Sequence, residues 1–294
     1  MVQYLFPQLL LHMPGTLFVV ATPIGNLEDI TARALRVLSS VAVIAAEDTR
    51  RTAHLLSRYA ITTPTTSLHE HNEHQKAPSL VDRLRRGDDI ALVSDAGTPA
   101  IADPGRRLVR EAVDAGIKVE AIPGPNAAVA ALAVSGFETD SFSFLGFPPV
   151  KANDRMSWFE HMRSAPGTVV FYEAPHRIVA TLRQMRELIG DCDVVVAREL
   201  TKLHEELVRG PISTILDKGL NPRGEFTVVA NIGQVTNVGL SRILIDSEAL
   251  AELGDLTDID HLSRREAVGR IARRYNLSSR AVYAAIERAK KSGE

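Results

Sequence analysis

The chain has 294 residues, of which 45% are apolar and 24% charged, with a formal net charge of −2. This composition argues against a disordered or membrane-spanning chain, and the length is sufficient for two domains that each bury a core. Cys192 is the single cysteine, which excludes a disulfide framework and a cysteine metal cluster and favours a reducing, cytoplasmic setting. The apolar residues 4–11 lack the charged start of a signal peptide, so we assign residues 1–13 to an N-terminal extension.

The first half of the chain alternates apolar runs, rich in β-branched residues, with helical patterns. The runs lie at residues 17–21, 41–46, 90–93 and 117–122, and runs of this kind suit strands that are buried on both faces. Between the runs, apolar residues recur at helical spacing. The alternation predicts an α/β domain over residues 14–136, with a mostly parallel sheet covered by helices on both faces.

The same alternation continues after a small-residue helix predicted at residues 127–134. Four further strands are predicted at residues 142–147, 168–172, 194–197 and 226–232. We therefore assign a second α/β domain to residues 137–238, with the boundary near Gly136. The predicted fold class is α/β, with two α/β domains followed by a small C-terminal helical module that resembles a helix-turn-helix.

The loop of residues 94–105, SDAGTPAIADPG, follows a predicted buried strand, where α/β sheets bind ligands. Gly97 and Gly105 permit a close backbone approach and the two prolines stiffen the path, so we expect this backbone to line a ligand. Asp103 is expected to contact polar or cationic groups, to cap a helix beginning at Pro104, or both. No strand-end loop contains G-x-G-x-x-G or G-x-x-x-x-G-K-[ST], so a standard dinucleotide or triphosphate site is not predicted.

Three histidines, His69, His71 and His74, cluster in the segment LHEHNEH. The cluster suggests a metal, but no cysteine or matching carboxylate spacing accompanies it. A solvated polar loop before a helix has at least equal weight, and we predict no metal site.

Seven motifs follow one another along the chain: TPIGNL (22–27), AEDTR (46–50), HEHNE (69–73), SDAGTP (94–99), PGP (123–125), FYEAPHR (171–177) and ARELTK (197–202). In this order they closely resemble the family of small-subunit ribosomal RNA 2′-O-ribose methyltransferases, within the tetrapyrrole methylase superfamily. The resemblance runs from about Gly15 to the C-terminus. Seven ordered motifs are far more specific than any one glycine loop.

This resemblance implies S-adenosylmethionine as methyl donor, bound in the cleft between the two α/β domains of a homodimer with no membrane association. It implies that the acceptor is the ribose 2′-hydroxyl of a decoding-centre cytidine in 16S ribosomal RNA of the small subunit. By the same resemblance, the donor-binding residues are Pro23, Asp95, Ala96, Gly97, Thr98, Ile101, Ala102, Asp103, Asn126, Ala127 and Tyr172.

The C-terminal segment is basic. Residues 264–294 contain nine Arg or Lys against three Glu, a net charge of +6, which leaves −8 for residues 1–263. Such asymmetry favours a polyanionic partner. Two short helices are predicted, the second capped by Ser278. We assign residues 239–294 to a basic helical tail that binds RNA phosphates, or alternatively packs on the catalytic domains; the RNA-binding candidates are Arg264, Arg265, Arg270, Arg273, Arg274 and Arg280.

A ribose hydroxyl is a poor nucleophile while protonated, so a base or an alkoxide-stabilising cation would assist methyl transfer. The chemically suited loop residues are Asp48, Arg50, His69, Glu70, Glu199 and Lys202. Our hypothesis is that Arg50 orients the acceptor RNA while His69 or Glu70 assists deprotonation. The structural alternatives are a helix cap by Asp48, pairing of Arg50 with Glu47 or with an RNA phosphate, and a domain-joining contact by Glu199.

Two other functions stay open. A tetrapyrrole (precorrin-type) methyltransferase would share the donor pocket but would not need a basic tail. A ligand-sensing DNA-binding regulator would combine an α/β pocket with the helix-turn-helix pattern. Both rank below ribosomal RNA methylation, because the AEDTR and SDAGTP motifs occur together with the tail.

Overall fold

The computed structural model describes residues 13–165, 167–233, 246–258 and 262–274, together with residues 279, 282, 283, 286 and 287. The chain divides into two compact units, one ending at Asn231 and the other beginning at Ile232. The first unit contains two five-stranded sheets. Within the described ranges, no helix is long and apolar enough to cross a membrane. The domain boundaries near residues 136 and 238 stay predictions.

The first sheet is entirely parallel, with the strand order β3-β2-β4-β1-β5. Its strands are β1 (Leu17–Val20), β2 (Val43–Ala46), β3 (Thr65–Ser67), β4 (Ile90–Val93) and β5 (Val119–Ile122). Its helices are α1 (Ala32–Ser40), α2 (Thr49–Arg58), α3 (Glu73–Arg85) and α4 (Arg106–Asp114). The parallel α/β arrangement predicted for this half is confirmed, whereas the short polar edge strand β3 was not predicted.

Helices cover both faces of this sheet because side chains alternate across each strand. Ile90 and Leu92 point to one face and pack with Leu84 of α3. Ala91 and Val93 point to the other face and belong to a cluster with residues of α1 and α2. The continuous apolar run of β4 is therefore explained by burial on both sides.

The second sheet is mixed, with the order β6-β7-β10-β8-β9. Its strands are β6 (Phe142–Phe144), β7 (Thr168–Glu173), β8 (Asp193–Arg198), β9 (Glu206–Pro211) and β10 (Phe226–Asn231). Its helices are α5 (Ala127–Ala133), α6 (Ala152–Ser164), α7 (Ile178–Leu188) and α8 (Ile212–Lys218). Only β6 and β7 are parallel, whereas the other neighbours are antiparallel. A parallel sheet does not continue into this half because the link from β8 to β9 is too short for a crossover.

Helix α5 connects the two sheets in sequence. It follows β5 of the first sheet, yet its residues Ala131 and Leu132 pack with Val170, Val195 and Val229 of the second sheet. The chain therefore passes from one sheet to the other through a helix that belongs to the second core.

The second unit contains α9 (Asp246–Asp258) and α10 (Arg264–Arg274). Val268 and Ile271 of α10 are buried with Leu253, Val282 and Ile286. Helix α10 corresponds to the first predicted tail helix. Most of the second predicted tail helix, including its Ser278 cap, lies outside the described residues.

Candidate active site

The strand order of the first sheet reverses between β1 and β4. The strand that follows β1 in sequence, β2, lies on one side of this pair, and the strand that follows β4, β5, lies on the other. Loops diverge at such a point and leave a crevice at the carboxyl ends of the strands. Two hydrogen bonds join the loops beside it: Thr22 N–H donates to the carbonyl of Gly97 at 2.8 Å, and Gly97 N–H donates to the carbonyl of Thr22 at 3.0 Å. These two hydrogen bonds hold the loops after β1 and β4 together along one edge of the crevice.

The loop of residues 94–105 follows β4 along an unusual backbone path. Ala100 and Ala102 have φ angles of +66° and +60°, and Gly105 has +114°. A left-handed conformation is strained for alanine and is common at functional sites. At Gly105, a Cβ atom would lie 2.6 Å from Cδ2 of Leu92, so this turn requires glycine on both conformational and packing grounds.

Asp103 does not cap the next helix. Helix α4 begins at Arg106, and its N-cap is Gly105, which provides no side-chain hydrogen bond. The predicted cap by Asp103 of a helix starting at Pro104 is therefore wrong, because the chain makes its left-handed turn at Gly105 before the helix begins. Asp103 instead lines a cavity.

This cavity has a volume of about 390 Å³ and lies where loops of the two sheets meet. Small-molecule sites commonly have volumes of about 300–1,000 Å³. On the side of the first sheet it is lined by residues of the strand-end loops, by Arg51 of α2 and by the start of α5: Ile24, Glu47, Arg51, Asp95, Ala96, Gly97, Thr98, Ile101, Asp103, Asn126 and Ala127. Phe147, which follows β6, also lines it. The second sheet and its loops add Tyr172, Glu173, Ala174, Pro175, Ala197, Leu200, Glu225, Phe226 and Thr227.

Tyr172 lies near the carboxyl end of β7 and fixes one wall of the cavity. Its hydroxyl accepts a hydrogen bond from Ala128 N–H at 3.3 Å, at the start of α5. Its ring packs against Phe144 and Phe147, with centroid distances of 5.0 and 5.4 Å. Burial, together with the charge of Asp103, raises the pKa of the Tyr172 hydroxyl. The wall is thus aromatic, uncharged and held in one orientation.

Glu173, the next residue, is fully buried and has two arginine partners. Its carboxylate lies 3.4 Å from Nε of Arg177 and 3.9 Å from Nη1 of Arg155. Arg177 also donates to the carbonyl of Pro148 at 2.6 Å. This network holds the segment that contains the lining residue Phe147, since Phe147 directly precedes Pro148.

A loop-to-loop contact closes another side of the cavity. Asn26 N–H donates to Thr201 Oγ1 at 3.0 Å, which joins the loop after β1 to the loop after β8. Gly25 lies against this second loop, where a Cβ atom would be 2.9 Å from the carbonyl oxygen of Leu200. Ile24 and Leu200 line the cavity on the two sides of this contact.

Glu199 and Lys202, two of the predicted reactive residues, bind each other near this contact. Nζ of Lys202 lies 2.8 Å from Oε1 of Glu199 and 3.0 Å from Oε2 of Glu225. Glu225 N–H also donates to Oε1 of Glu199 at 2.9 Å. Glu199 therefore joins the loop after β8 to the start of β10.

Carboxylates dominate the electrostatics of the cavity. Burial raises the pKa of Glu47, opposed by Asp95 N–H, which donates to Glu47 Oε2 at 3.2 Å. Burial, with the charge of Glu47 added, raises the pKa of Asp103 to about 6. Nη1 of Arg51 lies 3.5 Å from the carboxylate of Asp95. The cavity thus has an acidic lining with one arginine among its described residues.

Nine of the eleven residues expected to bind the donor line this cavity: Asp95, Ala96, Gly97, Thr98, Ile101, Asp103, Asn126, Ala127 and Tyr172. Ala102 is exposed and is not among the lining residues. Pro23 lines an adjoining cavity of about 90 Å³ that shares Arg51 and Asp95 with the larger one. Donor binding by these residues stays a prediction.

Arg50 does not line the cavity. Its side chain is 88% exposed and lies 2.7 Å from the carboxylate of Asp48, so its partner is Asp48 rather than Glu47. Asp48 also caps α2 by accepting Arg50 N–H at 2.8 Å, which confirms the predicted cap. These contacts hold the pKa of Asp48 well below its usual range. Arg51, which was not predicted, supplies the cation of the cavity lining.

His69 and Glu70 follow the edge strand β3 and are not among the lining residues. Glu70 is exposed, and His69 is half-buried. Nδ1 of His69 is buried and has no hydrogen-bond partner within the described part of the chain. The ring of His71 lies 6.0 Å from that of His69, in an edge-on arrangement.

The tail arginines lie in the second unit. Arg264, Arg265 and Arg270 are exposed on α10, and Arg264 lies 3.3 Å from Glu287. Arg273 and Arg274 belong to α10 by their backbone. Arg280 lies outside the described residues.

Comparison with known proteins gives a consistent result. The family model of tetrapyrrole (corrin/porphyrin) methylases matches residues 16–216. A Pseudomonas aeruginosa protein named ribosomal RNA small subunit methyltransferase I is 49% identical over 248 residues, covering 81% of this chain and 88% of its own. Relatives of the same name from Vibrio cholerae and Thermotoga maritima are 43% and 46% identical, covering 91% and 73% of this chain and 92% and 97% of their own.

Solved structures show the same fold at low sequence identity. Uroporphyrin-III C-methyltransferase from Thermus thermophilus has a TM-score of 0.53 at 18% identity, covering 76% of this chain and 96% of its own. Diphthine synthase has a TM-score of 0.57 at 13% identity, covering 74% and 90%. The family match and the relatives each span most of the chain. The chain therefore belongs to the tetrapyrrole methylase family, in the group of the ribosomal RNA small subunit methyltransferases I.

Proposed function

We propose that the protein transfers a methyl group from S-adenosylmethionine to ribosomal RNA of the small ribosomal subunit. Methyltransferases of this family use S-adenosylmethionine as methyl donor. The observation that carries the proposal is the cavity of about 390 Å³ at the strand-order reversal of the first sheet. The acceptor class comes from the names of the relatives.

The lining residues fit the chemistry of this donor. Apolar and aromatic side chains such as Ile24, Phe147 and Phe226 suit its adenosine. The half-buried carboxylates of Glu47 and Asp103 suit its cationic groups. When bound, the donor supplies a methyl group that is already activated by attachment to a positively charged sulfur.

The contribution of the protein is then mainly positioning. Holding two reactants in attack geometry can remove about 7–11 kcal/mol from a barrier. We assign to Arg50 the orientation of the acceptor RNA, since its side chain is exposed and it directly precedes Arg51, a lining residue. A phosphate would have to replace Asp48 as its partner. We assign assistance in deprotonation to His69 or Glu70. The Nδ1 atom of His69 has no hydrogen-bond partner among the residues that the structure describes, which is the observation that favours His69.

The finer acceptor in this proposal is the 2′-hydroxyl of a decoding-centre cytidine in 16S ribosomal RNA, in the cytoplasm. The basic tail supports an RNA acceptor because exposed arginines on α10 suit phosphate contacts. We also propose that the protein acts as a homodimer.

The test is transfer of labelled methyl from S-adenosylmethionine to purified 30S subunits that lack the modification. Naked ribosomal RNA, a tetrapyrrole and duplex DNA serve as parallel acceptors. We expect label on ribosomal RNA, in subunits or naked. Label on the tetrapyrrole alone would indicate that the protein is a tetrapyrrole methyltransferase. Sequence-specific binding of DNA without methyl transfer would indicate a regulator.

The residue assignments are tested by Arg50→Ala and His69→Ala. We expect Arg50→Ala to lower kcat/KM for the subunit about tenfold, and His69→Ala to lower kcat about a hundredfold, the lower end of the range for acid–base groups. Arg58→Ala, an exposed arginine at the other end of α2, and His161→Ala, exposed on α6, are matched controls. Wild-type turnover by both test variants, with donor binding intact, would refute the assignments to Arg50 and His69 and leave Glu70 as the remaining candidate base.

A further inference from the structure

The carboxylates that line the cavity differ in whether a cation neutralises them. Glu173 has Arg155 and Arg177, Asp95 has Arg51, and Glu225 has Lys202. These three acids are therefore balanced by basic residues of the protein.

Glu47 and Asp103 are the exceptions. Neither forms a salt bridge with any residue in the part of the chain that the structure describes. Each is partly buried, and the charge of Glu47 acts on Asp103. The charge of Arg51 acts on Glu47, but the salt bridge of Arg51 is with Asp95. The cavity thus contains two carboxylates that no salt bridge within the described residues neutralises.

We propose that Glu47 and Asp103 make the cavity selective for a positively charged ligand, so that the methyl donor binds more tightly than the product left after transfer. This inference rests on the proposed function and adds a role for two named residues. Glu47 lies at the end of β2 and Asp103 in the loop after β4, so the pair spans two strand ends beside the strand-order reversal.

The reaction removes the charge that these carboxylates attract. The bond from sulfur to the methyl carbon breaks and its electron pair stays on sulfur. A bond forms from the acceptor oxygen to the methyl carbon, and the hydroxyl proton passes to the base proposed above, His69 or Glu70. S-adenosylmethionine becomes S-adenosylhomocysteine, which keeps its ammonium and carboxylate but has an uncharged sulfur. Attraction to Glu47 and Asp103 therefore falls when transfer is complete, which favours release of the product.

The preference depends on pH through Asp103. Burial and the charge of Glu47 raise the pKa of its carboxyl to about 6. The carboxyl is therefore mostly protonated near pH 5 and mostly charged near pH 7. The other ionisable groups that face the cavity are Glu47, Arg51, Asp95, Tyr172, Glu173 and Glu225. Of these, Glu47 also has a pKa that burial raises, so its protonation at low pH changes the preference in the same direction.

The experiment is calorimetric titration of S-adenosylmethionine and S-adenosylhomocysteine into the wild-type protein and into Asp103→Asn and Glu47→Gln. We expect the wild-type protein to bind the donor about tenfold more tightly than the product near pH 7, and less than about threefold more tightly near pH 5. Each variant should lower the ratio near pH 7 to about threefold. Asp114→Asn, an exposed carboxylate on α4 paired with Arg110, is the control and should keep the wild-type ratio.

Four results would decide the inference. A ratio near one in the wild-type protein would overturn it while leaving the donor site intact. An unchanged ratio in both variants would overturn the assignment to Glu47 and Asp103. Equal weakening of both ligands in the variants would place the carboxylates near the ammonium, which both ligands share, and would also overturn it. Failure of both ligands to bind the folded wild-type protein would refute the donor assignment of the proposed function as well. Because the wild-type pH series needs no substitution, the inference stays testable if a variant does not fold.

Discussion

Gly25→Ala tests the contact between the loop after β1 and the loop after β8. The added Cβ would lie 2.5 Å from Cγ of Lys202, 2.8 Å from Oγ1 of Thr201 and 2.9 Å from the carbonyl oxygen of Leu200. The lysine side chain can move away, but the carbonyl oxygen belongs to the backbone. The two loops must therefore separate.

The size of the effect follows from two losses. Overpacking of a tight contact costs about 1–3 kcal/mol, and separation also breaks the hydrogen bond from Asn26 N–H to Thr201 Oγ1, worth about 1 kcal/mol. We expect the free energy of unfolding to fall by about 2–4 kcal/mol. Because Ile24 and Leu200 line the cavity, affinity for S-adenosylmethionine should fall about fivefold, or 1 kcal/mol.

Urea denaturation and calorimetric titration measure these two quantities. Gly254→Ala is the matched control, because among the described residues no atom outside its own helix backbone and chain neighbours lies within 4 Å of the added Cβ. Alanine is also favoured over glycine inside helix α9 by up to about 1 kcal/mol. A Gly25→Ala protein with wild-type stability and donor affinity would show that the two loops do not meet as described.

Two further predictions concern the cavity wall and the tail. Tyr172→Phe removes the acceptor of Ala128 N–H and should lower the free energy of unfolding by about 1 kcal/mol and donor affinity about threefold. Urea denaturation and calorimetry measure these two quantities. If both stay at their wild-type values, the hydrogen bond from Ala128 N–H does not fix the cavity wall. Arg265→Ala should weaken binding to 30S subunits and reduce the slope of log affinity against log salt by about one. Filter binding over a salt series measures that slope, with Arg110→Ala of α4 as control; an identical slope in wild type and Arg265→Ala would exclude a phosphate contact.

The first sheet could be predicted because its central strands are buried on both faces. The run from Ile90 to Val93 is continuous and apolar, so its position needed no tertiary information. Strands β3 and β9 were missed because they are edge strands with polar residues and incomplete burial. Their positions depend on the neighbours with which they pair, and a local pattern does not contain this information.

The cavity could be predicted in part, because carboxyl ends of parallel strands are known ligand sites. The loop of residues 94–105 was found in this way. Residues 225–227 were missed because β10 is antiparallel to β7 and β8, and its amino end meets their carboxyl ends: Phe226 pairs with Glu173 and with Arg198. Only the pairing direction would have revealed this.

The sequence alone also did not show which of Arg50 and Arg51 lines the cavity. Both begin α2 and both are cations, so composition does not separate them. Asp48 caps the helix and at the same time binds the guanidinium of Arg50. The helix then turns Arg51 towards Asp95. The different directions of the two arginine side chains follow from the geometry of the folded helix.

The most direct test of the central claim is the identity of the methylated product. Unmodified 30S subunits would be incubated with the protein and S-adenosylmethionine, and the ribosomal RNA digested to nucleosides and analysed by mass spectrometry. We predict one new species, 2′-O-methylcytidine, and its absence when donor is omitted. A methyl group on a base, on ribosomal protein, or on no component of the subunit would contradict the account.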